Sequence, residues 1–217
     1  MNFGKFIVFE GINGSGKTTI INKIIQNYTN NNIKFKYLKF PDRNSKSGKI
    51  IDKFLKNNYN FKNLYEQIQI FAENRKESQE IIFNYLSQGY IILCDRYLYS
   101  NLAYTLTDQT FNILNNNQYE YINLDQIIQY DKNIIKPNLV FLIKGNYIQL
   151  RNEQIQERYH NNEIKNTVIF NNYLLALNHT KTNYNIINNN FNELDNTTNN
   201  IINIINTFKN INKCTYF

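Results

Sequence analysis

Apolar residues along this chain keep two different rhythms. Unbroken runs, Phe6-Ile7-Val8-Phe9, Tyr90-Ile91-Ile92-Leu93-Cys94 and residues 139–143, alternate with stretches in which apolar side chains recur every three or four positions. An unbroken run marks a parallel strand buried on both faces, and the longer period marks a helix with one buried stripe. Strands are therefore expected at 5–10, 35–40, 90–94, 139–143 and 184–187. Helices are expected at 18–28, carried by Ile20, Ile21, Ile24, Ile25 and Tyr28, and at 47–55, carried by Ile50, Ile51, Phe54 and Leu55. Leu64, Ile68, Phe71, Ile82, Tyr85 and Leu86 predict one long third helix ended by Gly89. Further helices are read at 97–106, at 124–130, at 164–177, and around Ile201, Ile205 and Phe208. Asn30-Asn31-Asn32, Pro41 and Lys136-Pro137 punctuate these elements, and 112–121 reads as irregular.

Strands alternating with helices specify an α/β fold, a doubly wound and mostly parallel sheet of about five strands flanked by helices. The polar segment 145–163 has little apolar periodicity and suits a mobile lid. At 217 residues one domain, 1–217, is the natural expectation. In such sheets ligands bind beyond the carboxyl ends of the strands, which is where the chemistry-bearing motifs of this chain fall.

The first of these is Gly11-Ile12-Asn13-Gly14-Ser15-Gly16-Lys17-Thr18, directly after the first strand and opening the first helix. Glycine, four residues, then Gly-Lys-Thr is the P-loop pattern, here in its required strand–loop–helix context. The glycines let backbone N–H groups curl around a phosphate, and the helix N-terminus adds positive potential there. Lys17 would reach the terminal phosphates and the Thr18 hydroxyl would ligate magnesium. The chain is expected to bind a nucleoside triphosphate through Gly11, Asn13, Gly14, Ser15, Gly16, Lys17, Thr18 and Thr19.

Two more motifs end strands on the same edge. Phe40-Pro41-Asp42-Arg43 offers a planar guanidinium fork for a phosphate or a carboxylate, or else a surface turn with a solvated arginine. Asp95-Arg96-Tyr97 places a carboxylate where it can organise magnesium, with an arginine to neutralise a transferring phosphoryl group; a structural ion pair is the bland alternative. Phe71 and Arg75, one helical turn apart, offer an apolar face and a hydrogen-bonding fork to a base, although Phe71 taken alone reads as core.

The net charge of +7 does not by itself indicate a nucleic-acid partner, since no basic tail or basic–aromatic repeat accompanies it. Asn is about a fifth of the chain, with Ile, Lys, Tyr and Phe also heavy. These residues share AT-rich codons, so the bias reads as genomic. Cys94 and Cys214 have neither disulfide nor metal-ligand spacing, which fits a reducing compartment. The first strand begins too early to leave room for a signal peptide, and no apolar run approaches membrane-spanning length. A soluble, cytoplasmic protein with no nucleic-acid or membrane partner is expected.

Taken together these motifs resemble the thymidylate kinase family, which transfers the terminal phosphate of ATP to dTMP. The resemblance runs from Phe6 to about Tyr173. It is carried by Phe9-Glu10-Gly11 through Thr18-Thr19, Phe40-Pro41-Asp42-Arg43 with Gly48-Lys49, Phe71-Ala72 with Asn74-Arg75, Asp95-Arg96-Tyr97 with Ser100, Lys136-Pro137, and Glu157-Arg158-Tyr159. Residues 40–55 look most like the eukaryotic and poxviral branch. The resemblance implies that Phe71 stacks on thymine, that Arg75 hydrogen-bonds the base edge, and that Arg43 and Arg96 hold the dTMP phosphate. Asn13, Ser100 and Tyr104 would border the nucleoside. Tyr159 would crowd the ribose 2′ position, and Asp95 would act with Thr18 on magnesium. Arg151 and Arg158 would close from the lid, and family members are commonly homodimers.

Two positions depart from the family pattern. Asn13 stands where an aspartate is usual and would accept a hydrogen bond from the substrate sugar. Gly14 and Ser15 replace a P-loop arginine found in many eukaryotic members, which leaves Arg151 or Arg158 to supply that charge. A deoxynucleoside kinase and a weakly catalytic nucleotide-binding protein of the same fold are the alternative readings.

Overall fold

The computed structural model describes residues 3–114, 121–145, 163–209 and 213–217. Five parallel strands, β1 (Lys5–Glu10), β2 (Phe35–Lys39), β3 (Ile91–Asp95), β4 (Leu139–Gly145) and β5 (Tyr184–Asn189), form one sheet in the order β2-β3-β1-β4-β5. β1 is central, between β3 and β4, and its apolar run Phe6–Phe9 is fully buried. It pairs Phe9 with Asp95 on one side and with Phe141 on the other.

Side chains alternate across a strand, so each unbroken run feeds two cores. Phe6, Val8, Ile92, Cys94, Val140 and Leu142 face one layer, built by α3 (Leu64–Lys76), α4 (Gln79–Ser87), α5 (Leu98–Leu114), α6 (Leu124–Gln129) and α7 (Glu163–His179). Ile7, Phe9, Leu93, Phe141 and Ile143 face the other, covered by α1 (Lys17–Asn30) and α8 (Leu194–Thr207). The short α2 (Lys46–Leu55) packs Ile51, Phe54 and Leu55 against Phe71 beside the sheet.

The long helix expected over 64–86 is two helices, α3 and α4, with Glu77 and Ser78 between them. The apolar spacing continues through the break and so hides it. The freed Arg75 carbonyl is taken up by the Gln79 amide at 2.7 Å, and Glu77 turns instead to Ser47, accepting from its N–H and its hydroxyl at 3.2 and 2.9 Å. α5 also runs past the expected 106, to Leu114, so residues 112–114, read as irregular, are helical. In the added turns two polar side chains, Thr107 and Gln109, are buried. Thr107 donates to Ala103 and receives from the Asn172 amide of α7, and Gln109 receives the Ile122 N–H. The proposed lid, apart from its end residues, lies outside the described residues.

Candidate active site

The loop between β1 and α1 gathers its chemistry by close backbone approach. A Cβ on Gly11, whose φ is 141°, would meet the Ile143 carbonyl at 2.4 Å, so only glycine lets the loop leave β1 here. Lys17 is buried on the first turn of α1, and its ammonium donates to the carbonyls of Gly11 (2.9 Å) and Ile12 (2.7 Å) inside the loop. The Ser15 carbonyl is held by the Asn189 amide, donating at 2.9 Å from the end of β5. Thr18 and Thr19 are exposed on the same turn. Thr18 donates to Asp95 Oδ2 at 3.3 Å across the sheet edge, while Asp95 Oδ1 is buried and has no partner among the described residues.

Arg96 leaves β3 in the left-handed region, with φ 67°, a conformation that costs a side-chain-bearing residue and persists only where its surroundings hold it. Its N–H donates to the Phe9 carbonyl at 2.9 Å. Nη1 donates to the Gly11 carbonyl, the Ser100 hydroxyl and the Tyr173 hydroxyl at 3.1, 3.0 and 3.0 Å, and Nη2 donates to Asn13 Oδ1 at 2.6 Å. Tyr104 lies beneath the guanidinium, 5.7 Å from ring centroid to Cζ. Burial works against the cation here. The phenol groups of Tyr104 and Tyr173 and the carboxylates of Asp95 and Glu10 outweigh it electrostatically and raise the pKa.

Glu10 organises this turn from below. Fully buried at the end of β1, it accepts from the N–H groups of Tyr97 (2.8 Å) and Ser100 (3.1 Å) and from the Ser100 hydroxyl at 2.5 Å. A carboxylate at a helix start is favoured by the unsatisfied N–H groups there. Burial pushes the Glu10 pKa up, opposed by the Arg96 charge and by these hydrogen bonds.

Arg43 stands on the turn after β2, whose neighbour in register is β3 (Lys39 beside Asp95), so it emerges on the same edge as Arg96. Its Nη1 donates to Asp52 at 2.9 Å. The turn is pinned by buried Asn74 of α3, which accepts from the Asp42 N–H at 2.8 Å and donates to the Asp42 carbonyl at 3.0 Å and the Ser45 hydroxyl at 2.8 Å. Gly48 is required where α2 meets this turn, because a Cβ there would lie 1.7 Å from the Asp42 carbonyl. Phe71 is half-buried and meets Phe54 edge-on at 6.3 Å. Arg75, one turn on, is 2% exposed; its Nε and Nη2 donate to the two oxygens of Asp131 at 2.6 and 2.7 Å.

The edge thus brings together Gly11, Asn13, Lys17, Thr18, Asp95, Arg96, Ser100 and Tyr104 through direct contacts, with Arg43 on the turn after the neighbouring strand, whereas Phe71 and Arg75 lie on α3 and contact Phe54 and Asp131 instead. Ser100 reaches this edge as a clamp on Glu10 and Arg96. Arg151, Arg158 and Tyr159 lie outside the described residues. Sequence reasoning assigned no role to Glu10, Asn74, Asp131 or Tyr173. The first two stood inside quoted motifs without a role, and nothing in the sequence marks Asp131.

A parallel sheet in this order, with a phosphate-binding loop at the tip of its central strand, defines a P-loop kinase. The family model described as thymidylate kinase matches residues 9–201. Over 159 residues the chain is 38% identical to a thymidylate kinase of Plasmodium falciparum, covering 72% of this chain and 70% of that protein. It is 30% identical over 156 residues to one of Dictyostelium discoideum, covering 71% of this chain and 62% of that one. The solved thymidylate kinase of Candida albicans superposes with a TM-score of 0.83 at 27% identity, covering 100% of this chain and 99% of the other. The chain belongs to the thymidylate kinase family. The thymidylate kinase of Ehrlichia chaffeensis, at 18% identity and a TM-score of 0.66, shares the fold, covering 94% of this chain and 99% of that structure.

Proposed function

We propose that this site transfers the terminal phosphoryl group of ATP to dTMP, with Lys17 and the loop N–H groups on ATP and Arg43 and Arg96 on the dTMP phosphate. The observation that supports it most directly is Arg96, held in a costly backbone conformation between the P-loop and α5 by Glu10, Ser100 and Tyr173. A phosphate oxygen of dTMP attacks the γ-phosphorus as its bond to the β-bridging oxygen breaks, and ADP leaves. Two anions must meet for this, so the residues contribute positive charge and alignment rather than covalent chemistry. Phe71 would stack on thymine, with Arg75 reading its edge and Tyr104 bordering the sugar.

Thr18 and Asp95 fit magnesium. A buried carboxylate oxygen without a partner, beside an exposed hydroxyl, is an oxygen-donor pair of the kind a hard cation takes together with phosphates and water. When bound, the ion would neutralise phosphate charge. Among the described residues no cluster of three or more His, Cys, Asp or Glu offers an all-protein alternative. We further read the chain as one kinase domain in a reducing, cytoplasmic setting, assembled as a homodimer. Among the described residues no helix is long and apolar enough to cross a membrane.

ADP release measured with dTMP, thymidine, dUMP and dGMP tests this assignment. Turnover is expected with dTMP and not with thymidine, because the arginines need a phosphate to bind. Faster phosphorylation of thymidine would assign a deoxynucleoside kinase. Binding of both nucleotides without ADP release would assign a nucleotide-binding protein.

A further inference from the structure

The buried pair of Arg75 and Asp131 joins α3 to a turn that would otherwise be a surface loop. Asp131 is 0% exposed and lies two residues past the end of α6, its N–H bonded to the Ile128 carbonyl at 2.8 Å. Asn133, two residues on, is left-handed with φ 72°. The chain then runs beside residues 215–217. Asn133 N–H donates to the Phe217 carbonyl oxygen at 3.1 Å, Phe217 N–H to the Ile134 carbonyl at 3.1 Å, and Lys136 N–H to the Thr215 carbonyl at 2.7 Å. The Phe217 ring meets Tyr99 edge-on at 6.2 Å and lies 5.4 Å from the Lys136 ammonium. Gln79 completes the frame by accepting from Ile135 N–H at 2.7 Å while donating to the Arg75 carbonyl.

We propose that Asp131 is the positioning residue for Arg75 and that Thr215 to Phe217 brace the Asp131 turn, so that these three residues set the affinity for the pyrimidine base. The inference rests on the reading of Arg75 as the base-edge donor. Two of the guanidinium's three nitrogens are committed to Asp131, which fixes the plane of the fork and the direction of the third, Nη1. An arginine side chain on a free α3 would sample many rotamers, and ordering it on binding would weaken affinity. Bidentate pairing removes that cost in advance. The pair in turn needs its turn held, and three main-chain bonds from residues 215 and 217 hold it.

The test compares Asp131→Asn, the chain ended after Cys214, and Arg75→Ala, each with KM for dTMP and for ATP, kcat and a thermal melt. Asp131→Asn and the shortened chain should each raise the dTMP KM by about tenfold, which corresponds to roughly 1.4 kcal/mol, with ATP KM and kcat within about twofold. Neither change should add to the effect of Arg75→Ala when combined with it, because both act through that side chain. Losing one partner of a buried pair can unfold a domain, whereas the shortened chain keeps Arg75 and Asp131 and carries the test if the asparagine variant melts. Unchanged dTMP KM, equal rises in both KM values, or unfolding of both variants would give the pair and the tail a purely structural role and overturn the inference. Arg75→Ala alone separates the premises. If it leaves the dTMP KM unchanged, the base reading of Arg75 fails; if it raises the KM while the other two variants do not, only the brace fails.

Discussion

Arg96 Nη2 donates to Asn13 Oδ1 at 2.6 Å, so a residue that departs from the family resemblance helps to hold the arginine proposed to bind the dTMP phosphate. The bond is between a cation and a neutral amide. A dTMP phosphate arriving at Arg96 can compete for that nitrogen without meeting a like charge at position 13.

Asn13→Asp should therefore raise the KM for dTMP, by about tenfold, because the new carboxylate forms an ion pair with Arg96 that the phosphate must displace and also repels the incoming dianion. Added salt should narrow the gap between the two proteins. An equal or lower KM in the aspartate variant would mean that a carboxylate contact to the substrate sugar outweighs both effects.

Lys17→Ala should abolish turnover while the protein stays folded. The ammonium is tied to loop carbonyls and contributes to no apolar cluster. Loss of one oriented cationic donor lowers kcat by about a hundredfold or more. Residual activity above about a tenth of the original, less than ~1.4 kcal/mol of transition-state stabilisation, would remove the lysine from the reaction.

Phe71→Ala should raise the dTMP KM far more than the ATP KM. The ring is half-buried against Phe54, which leaves part of it available, and base–aromatic stacking is worth about 1–3 kcal/mol. If the melt falls sharply while the ratio of the two KM values is unchanged in the folded fraction, the ring belongs to the α2–α3 core alone.

Arg151→Ala and Arg158→Ala should show which arginine stands in for the one missing from the P-loop. At least one is expected to lower kcat with little effect on dTMP binding, the signature of a contact made only in the transition state. Wild-type kcat in both would send the search to another cation.

Glu10 gives a pH signature. Its folded pKa is raised above the ordinary 4.5, chiefly by burial. The folded state therefore binds more protons than the unfolded one between these two values, and stability falls as pH rises through that window. Glu10→Gln should flatten this part of the profile of melting temperature against pH. An unchanged slope would show that Arg96 and the α5 N–H groups fully compensate the buried charge.

The sequence by itself determined the sheet and the loop. Unbroken apolar runs can be satisfied only between two layers, and both layers are present, with odd and even strand residues facing separate cores. The P-loop was legible because its glycines, lysine and threonine act within eight consecutive residues. Tertiary structure decided what holds the arginines. Glu10 meets Ser100 across 90 positions, Thr18 meets Asp95 across 77, and Arg75 meets Asp131 across 56. A lone aspartate after a weak helix reads as a solvated loop residue until another segment covers it. The break between α3 and α4 was hidden for the same reason, since the apolar stripe runs on through it and the contacts at the turn, Glu77 to Ser47 and Gln79 to the Arg75 carbonyl, are not encoded in that stripe. Periodicity reports which face is buried; a buried charge needs a partner whose position along the chain no local pattern encodes.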